Sequence, residues 1–190
     1  MIDSFYLEHK KDAMKKLQTA RKQNKVDIDA LPILDRLNLM DAYYTTSSCS
    51  GRIVVMQLKD LGDKKSAIFH GKWHRSVESN EVTDAIGDYT DGQLWFLAQP
   101  PIFHVGCRSL DVANELVIKG VSSGFKHSGI KTVSDKIIVE LSSTERMDIP
   151  FGMDGHVFVD ESLIPLFVMV ANKVIMKAKQ KVHRLEESLA

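Results

Sequence analysis

Tyr43-Tyr44-Thr45-Thr46-Ser47-Ser48-Cys49-Ser50-Gly51-Arg52 runs directly into Ile53-Val54-Val55. A hydroxyl-rich stretch thus abuts a β-branched one, and this junction sets the plan of the chain. An apolar segment, Leu31 to Met40, precedes it, and apolar runs of strand length follow it. A turn between strands needs one glycine, not a whole series of hydroxyl and thiol side chains. The stretch is therefore read as a polar loop that forms an anion or polar-ligand site. Gly51 can adopt positive φ, which turns successive backbone N–H groups inward as a nest. Arg52 adds a planar, permanently charged fork suited to carboxylate or phosphate. The same stretch also reads as an ordinary serine-rich loop.

Working outward, Phe5 to Arg21 reads as a basic helix with Ala13, Met14 and Leu17 on one face. Asp29 is expected to cap a second helix carrying Leu31, Leu34 and Leu37, with Pro32 tolerated in its first turn. Ile53–Met56 and Ala67–Phe69 flank Gly62-Asp63 as a hairpin. A short helix is expected from Asn80 to Ile86. Leu94–Leu97 and Ile102–Val105 are two apolar strands. Ser109 caps a helix from Leu110 to Ser122, and Gly124 lies past its end. Lys136–Leu141 is a strand, with Met147–Phe151 expected as its neighbour. Leu163 to His183 is a long helix with Phe167, Val170, Val174 and Ala178 as its buried stripe. Strands and helices interleave without a regular βαβα rhythm. This predicts an α+β single domain with a mixed β-sheet flanked by helices, not Rossmann-type, with a weak internal pseudo-duplication. Residues 1–25 form the basic N-terminal helix, 26–152 the core that carries the motifs, and 160–188 the C-terminal helix.

The chain has 190 residues, with 25 Lys+Arg against 25 Asp+Glu, so no global field draws it to nucleic acid. The distribution is uneven. Lys10, Lys11, Lys15, Lys16, Arg21, Lys22 and Lys25 crowd the N-terminal segment, and Lys173, Lys177, Lys179, Lys181 and Arg184 the C-terminal one. If these ends meet, they form a basic face that net charge hides; otherwise they are two solvated helix faces. Cys49 and Cys107 form no CxxC pair, which argues against a zinc ribbon or a disulfide scaffold. No signal peptide is read at the N-terminus, and Leu163 to Met176 is too mixed for a membrane span, so a soluble, cytoplasmic protein is expected. No GxGxxG, P-loop, HExxH, EF-hand loop or GxSxG is present, and the histidines are not spaced as ligands; no metal is expected.

Four polar islands stand at element ends. Beside the hydroxyl run these are Gly71-Lys72-Trp73-His74-Arg75, His104 with Arg108, and Gly124-Phe125-Lys126-His127-Ser128-Gly129-Ile130. An aromatic between cations suits a nucleobase and its phosphate, although a Trp at a strand end is equally a core residue. His104 on an apolar strand is either a chemical group or a satisfied core histidine. Arg108 beside the Ser109 cap suits an anion at a helix N-terminus. The four islands suggest one shared cleft. Cys49 near Arg52 is a candidate nucleophile without a local base.

In this order, the islands resemble the wybutosine-synthesis N4-methyltransferase family, in its archaeal branch. The matching residues are Asp27-Ile28-Asp29, the stretch Tyr43 to Ile53, Gly71-Lys72-Trp73, Ile102-Phe103-His104-Val105, Cys107-Arg108, Gly124-Phe125-Lys126, Ser128-Gly129-Ile130, and Ser143-Thr144 with Asp148-Ile149-Pro150. The resemblance implies S-adenosylmethionine as methyl donor. It implies as substrate a tricyclic guanosine beside the anticodon of phenylalanine tRNA. It departs from the eukaryotic pattern at His74, Glu78 and Ser142, so the role of a later histidine does not carry over. On this basis His74, His104 and Ser47 are the candidate catalytic residues. Ser48, Ser50, Gly51, Arg52, Arg108, Ser128 and Gly129 are expected at the methyl donor. Lys72, Trp73, Arg75, Lys126, Arg146, Lys15, Arg21 and Lys22 are expected on the tRNA. Two rivals remain open at this level: an RNA-binding module that grips without chemistry, and a thiol enzyme acting through Cys49.

Overall fold

The computed structural model describes residues 2–63, 65–87 and 89–189, with side chains from residue 5 onward. The elements in chain order are α1 (Ile2–Lys22), α2 (Leu31–Leu39), β1 (Tyr43–Cys49), β2 (Arg52–Leu58), β3 (Ile68–Trp73), α3 (Ser79–Gly87), β4 (Gln93–Gln99), β5 (Ile102–Cys107), α4 (Leu110–Ser122), β6 (Gly129–Val133), β7 (Ile137–Ser142), β8 (Met147–Met153), β9 (His156–Val157) and α5 (Ile164–Ser188). The chain divides into two compact units. The first holds Met1–Ser50, Pro101–Thr144 and Ala178–Ala190; the second holds Gly51–Pro100 and Glu145–Lys177.

The first unit is built on a sheet of order β1-β5-β7-β6, every pairing antiparallel. One face of this sheet is its core. Phe103, Val105, Val139 and Leu141 alternate inward and are fully buried, against Leu34 and Leu37 of α2, Ala113 and Leu116 of α4, and Val182 and Leu185 of α5. The helix α4 starts as expected: the Ser109 hydroxyl accepts from the Val112 N–H at 3.3 Å. Gly124, at φ +102°, takes the left-handed conformation that ends it. The cap before α2 is Asp27 rather than Asp29. Asp27 accepts from the Asp29 N–H at 3.2 Å and opens a 3-10 turn, Ile28–Ala30, ahead of α2.

The second unit carries a sheet of order β3-β2-β4-β8-β9, again antiparallel throughout. Ile53, Val55, Leu94, Phe96 and Phe151 face its core, with Val82 and Ala85 of α3 and Ile164, Val168, Ala171 and Ile175 of α5. Of the expected α5 stripe, Ala178 is buried and Phe167 and Val174 are half-buried, whereas Val170 is exposed and Val168 and Ala171 take inner positions.

The α+β class holds, with two antiparallel sheets in place of one mixed sheet. The two sheets are strung in opposite order. In the second unit a hairpin precedes its helix and strand (β2-β3-α3-β4); in the first, a strand and helix precede the hairpin (β5-α4-β6-β7). The weak duplication therefore amounts to two sheets of similar make, not one repeated connectivity. Met147–Phe151 does not join the Lys136–Leu141 strand but pairs with β4 in the other sheet. No helix among the described residues is long and apolar enough to cross a membrane.

Candidate active site

The hydroxyl-rich stretch is a strand, not a loop. Tyr and Thr pack well on a pleated surface, and β1 pairs along its length with β5. Its pairing slips by one residue between Thr45 and Ser47. Before the slip, Tyr43 and Thr45 point to the core side, opposite Cys107 and Val105, and both are buried. Strict alternation would send Ser47 to that same side. The extra residue, Thr46, reverses the parity, so Ser47 stands on the opposite face, directly across from His104.

That register continues across the sheet. Ser47 pairs with His104, His104 with Glu140, and Glu140 with Gly129, one residue from each of the four strands. The side chains of the row are joined. The Ser47 hydroxyl lies 2.9 Å from Nδ1 of His104, and Nε2 of His104 lies 2.9 Å from Oε2 of Glu140. Lys131 Nζ is 2.9 Å from the other carboxylate oxygen, Oε1. A carboxylate only accepts, so in the neutral ring Nε2 donates to Glu140. Nδ1 is then the acceptor of the Ser47 O–H. Burial opposes ionisation of Glu140, but hydrogen bonds from Lys131 and His104 outweigh it and hold its carboxyl below the ordinary value. At Gly129 the space a Cβ would point into is empty.

Two hollows flank this row within the first unit. One, of about 280 Å³, is lined by Thr45–Ser48 on β1 and by Lys16 and Lys25. The other, of about 560 Å³, is lined by Phe5, Tyr6, His9, Tyr44, Arg108 and Lys136 among others. Tyr6 and Tyr44 contact ring to ring there, with centroids 5.5 Å apart. Gly106 makes room for the Tyr44 ring: a Cβ at Gly106 would lie 2.1 Å from Cζ of Tyr44. The neighbouring thiol, Cys107, is pushed up to about 12 by burial and is inert as a nucleophile.

The sequence candidates therefore separate. Ser47 and His104 come together, whereas Ser48 pairs with Phe103 and so stands on the other face of the sheet. Arg108 follows Cys107 at the opposite end of the β1–β5 ladder from Ser48 and lines the aromatic hollow. Ser50 is fully buried, its backbone N–H donating to Asp27 at 2.7 Å, and its hydroxyl has no hydrogen-bond partner among the described residues. Gly51, at φ +97°, has the backbone conformation expected of it. Ser128 donates to the Phe125 carbonyl, a local turn bond, and Lys126 is exposed. On α1, Lys15 and Lys22 are exposed, whereas Arg21 is paired with Asp35.

In the second unit, Arg52 Nε donates to Gln99 at 2.6 Å, and Arg146 pairs with Asp148. Arg75 is held by Glu81 through two bonds of 2.7 and 3.0 Å, so it is committed within its own unit. Trp73 is packed against the core, over Gly71, where a Cβ would lie 1.9 Å from its ring. The expected stacking aromatic is thus half-buried. Lys72 is exposed, and His74 is half-buried just beyond β3.

Sequence reasoning missed Glu140 and Lys131, and named Lys16 and Lys25 only as members of a basic segment. Glu140 sits in an alternating strand and looks like any outward carboxylate. Only the register, which the sequence does not state, puts it beside His104.

A family model described as methyltransferase TYW3 matches residues 8–190. A Thermococcus kodakarensis protein is 47% identical over 96% of this chain and 92% of its own length. One from Pyrococcus furiosus is 46% identical over 95% and 92%. Both are named tRNA(Phe) 7-((3-amino-3-carboxypropyl)-4-demethylwyosine(37)-N(4))-methyltransferase 1. A solved structure of a Pyrococcus horikoshii protein superposes with a TM-score of 0.94 at 44% identity, covering 100% of this chain and 99% of that one. A structure from Aeropyrum pernix, at TM-score 0.74 and 23% identity, shares the fold.

Proposed function

Because this chain belongs to the methyltransferase TYW3 family, we propose that it methylates N4 of a 4-demethylwyosine-type guanosine beside the anticodon of tRNA(Phe). Methylation of a ring nitrogen that carries hydrogen releases a proton, so the site needs an acceptor near neutral pH. The Ser47–His104–Glu140 row carries this reading. Its bonds are oriented so that Nδ1 is the basic atom and Ser47 its hydroxyl relay. The ring N–H of the substrate gives its proton to Ser47 Oγ as Ser47 passes its own to Nδ1. The imidazolium that forms faces the Glu140 carboxylate, which stabilises it without taking the proton. The bonding pair left on the substrate nitrogen forms the new N–C bond.

The methyl donor is S-adenosylmethionine, which when bound supplies a methyl group on a sulfonium, leaving the C–S electron pair with sulfur. The residues present fit such a molecule. Arg108 suits its carboxylate, and the exposed Phe5 ring at the same hollow offers a face to its base. The unsatisfied buried hydroxyl of Ser50, just past β1, offers polar capacity. Lys16 and Lys25, beside Ser47 and Ser48, suit the carboxylate of the 3-amino-3-carboxypropyl arm. Exposed Lys15 and Lys22 follow tRNA phosphates.

Incubation with precursor tRNA(Phe) and labelled S-adenosylmethionine, followed by nucleoside mass analysis, tests the proposal. One methyl on the tricyclic base is expected. Binding of tRNA with no methyl incorporated would replace the enzyme by an RNA-binding module. Arg108→Ala should weaken donor binding by calorimetry about tenfold or more.

A further inference from the structure

The sheet of the second unit has a second face. Along β2, Ile53 and Val55 enter the core while Arg52, Val54 and Met56 point the other way; along β4, Trp95, Leu97 and Gln99 do the same. This outward face forms a hollow of about 560 Å³ lined by Arg52, Met56, Phe69, Trp95, Arg146 and Asp148 among others. Its register is ordered in rows. Phe69 pairs with Met56 and Met56 with Trp95, so two aromatic rings flank a methionine floor, with strand spacings placing them roughly 10 Å apart at the backbone. The next row brings Lys72, Val54 and Leu97 together, and Arg52 with Gln99 lies beyond it. The Arg52 guanidinium stands 5.5 Å and the Lys72 ammonium 6.0 Å from the centroid of the Phe69 ring. Phe69 is 43% exposed, a large fraction for an aromatic on a sheet.

We propose that this face is a docking platform for unpaired nucleotides of the RNA, with a nucleobase stacked on Phe69 and Trp95 and the adjoining phosphates on Lys72 and Arg52. The inference rests on the tRNA reading above and extends it to a surface with no part in the proton relay. Arg146 and Asp148 offset each other, and Arg52 in the hollow with Lys72 on the adjoining row leaves this face positive, which complements a polyanion. The exposed Phe69 and half-buried Trp95 rings, flanked by cations, offer π-faces on which bases stack without regard to sequence. An apolar peptide would leave the cations unmatched, and a duplex would offer no free base face to the rings. The expected occupant is therefore a single-stranded segment, such as a loop.

The chain has two tryptophans, so a Trp73→Phe variant leaves Trp95 as the single indole reporter. A short single-stranded oligoribonucleotide should quench its fluorescence, and inorganic tripolyphosphate at equal charge should not. In the otherwise native chain, Phe69→Ala should raise KM for tRNA about tenfold, leaving kcat and S-adenosylmethionine affinity unchanged. Absence of quenching, or an unchanged KM in Phe69→Ala while the tRNA is still methylated, overturns the platform and leaves the methyl-transfer reading standing. Quenching by RNA without any methylation of precursor tRNA supports the platform and sinks the reading it rests on.

Discussion

His104 is a polar residue on an apolar strand whose meaning depends wholly on its neighbours. With Glu140 on one ring nitrogen and Ser47 on the other, both of its bonding positions are fixed. His104→Ala should cut methyl transfer by roughly 10²–10⁴ while donor and tRNA binding persist. Ser47→Ala should retain more activity, since water can stand in for a hydroxyl relay but not for the imidazole. Single-turnover rates on precursor tRNA separate the two. Glu140 also links the site to stability. Its carboxyl is held below the ordinary value in the fold, so its contribution is complete above the unfolded value and is lost as pH falls through the lower, folded one. The wild-type melting temperature should therefore fall below about pH 5, and Glu140→Gln should flatten that acid limb. His104 and Ser47 were legible in the sequence because their residue types announce chemistry. Glu140 and Lys131 were not, because charged residues on outward strand faces are the commonest solvated groups.

At the scale of the element, the decisive event is the slip in β1. Helix caps and helix faces are readable from local signals, as at Ser109 and Gly124, because each involves residues a few positions apart. The hydroxyl strand reads as a loop because serine and glycine dominate its end, and its pairing with β5 spans more than fifty positions of sequence. The bulge at Thr46 has no local signature at all. Deleting Thr46 should restore strict alternation and leave Ser47 across from His104, because Ser47 then follows Thr45 directly and takes the opposite face. Retained methyl transfer with a retained far-UV spectrum is the expected result; loss of activity would show that the bulge itself, and not only the face of Ser47, shapes the site. Gly106 poses a parallel constraint. Gly106→Ala forces the Tyr44 ring aside, which should cost about 1–3 kcal/mol in a denaturant titration and weaken donor binding through the aromatic hollow.

Across the whole molecule, charge is balanced in number and uneven in place. The formal net charge is +0, yet α1 presents Lys11, Lys15 and Lys22 to solvent. Replacing these three by Gln should flatten the dependence of tRNA affinity on salt, by up to roughly one unit of slope for each phosphate no longer neutralised. Arg75→Gln should leave that slope unchanged, because Arg75 is already bound to Glu81. The α+β class was legible from the interleaving of strand and helix patterns. The division into two sheets was not, since both are assembled from segments far apart in the chain. Gly51 marks the change: β1 and β2 are neighbours in sequence and members of different sheets.

The strand that carries Ser47 lies at the margin of its sheet, with β5 as its one strand partner among the described residues. Marginal strands fray before the rest of a fold opens, on a scale that amide hydrogen exchange resolves. Each such excursion would part the hydroxyl from the imidazole and leave the core intact. Heat inactivation should therefore precede global melting, with exchange at Ser47 and Ser48 rising together with the loss of turnover.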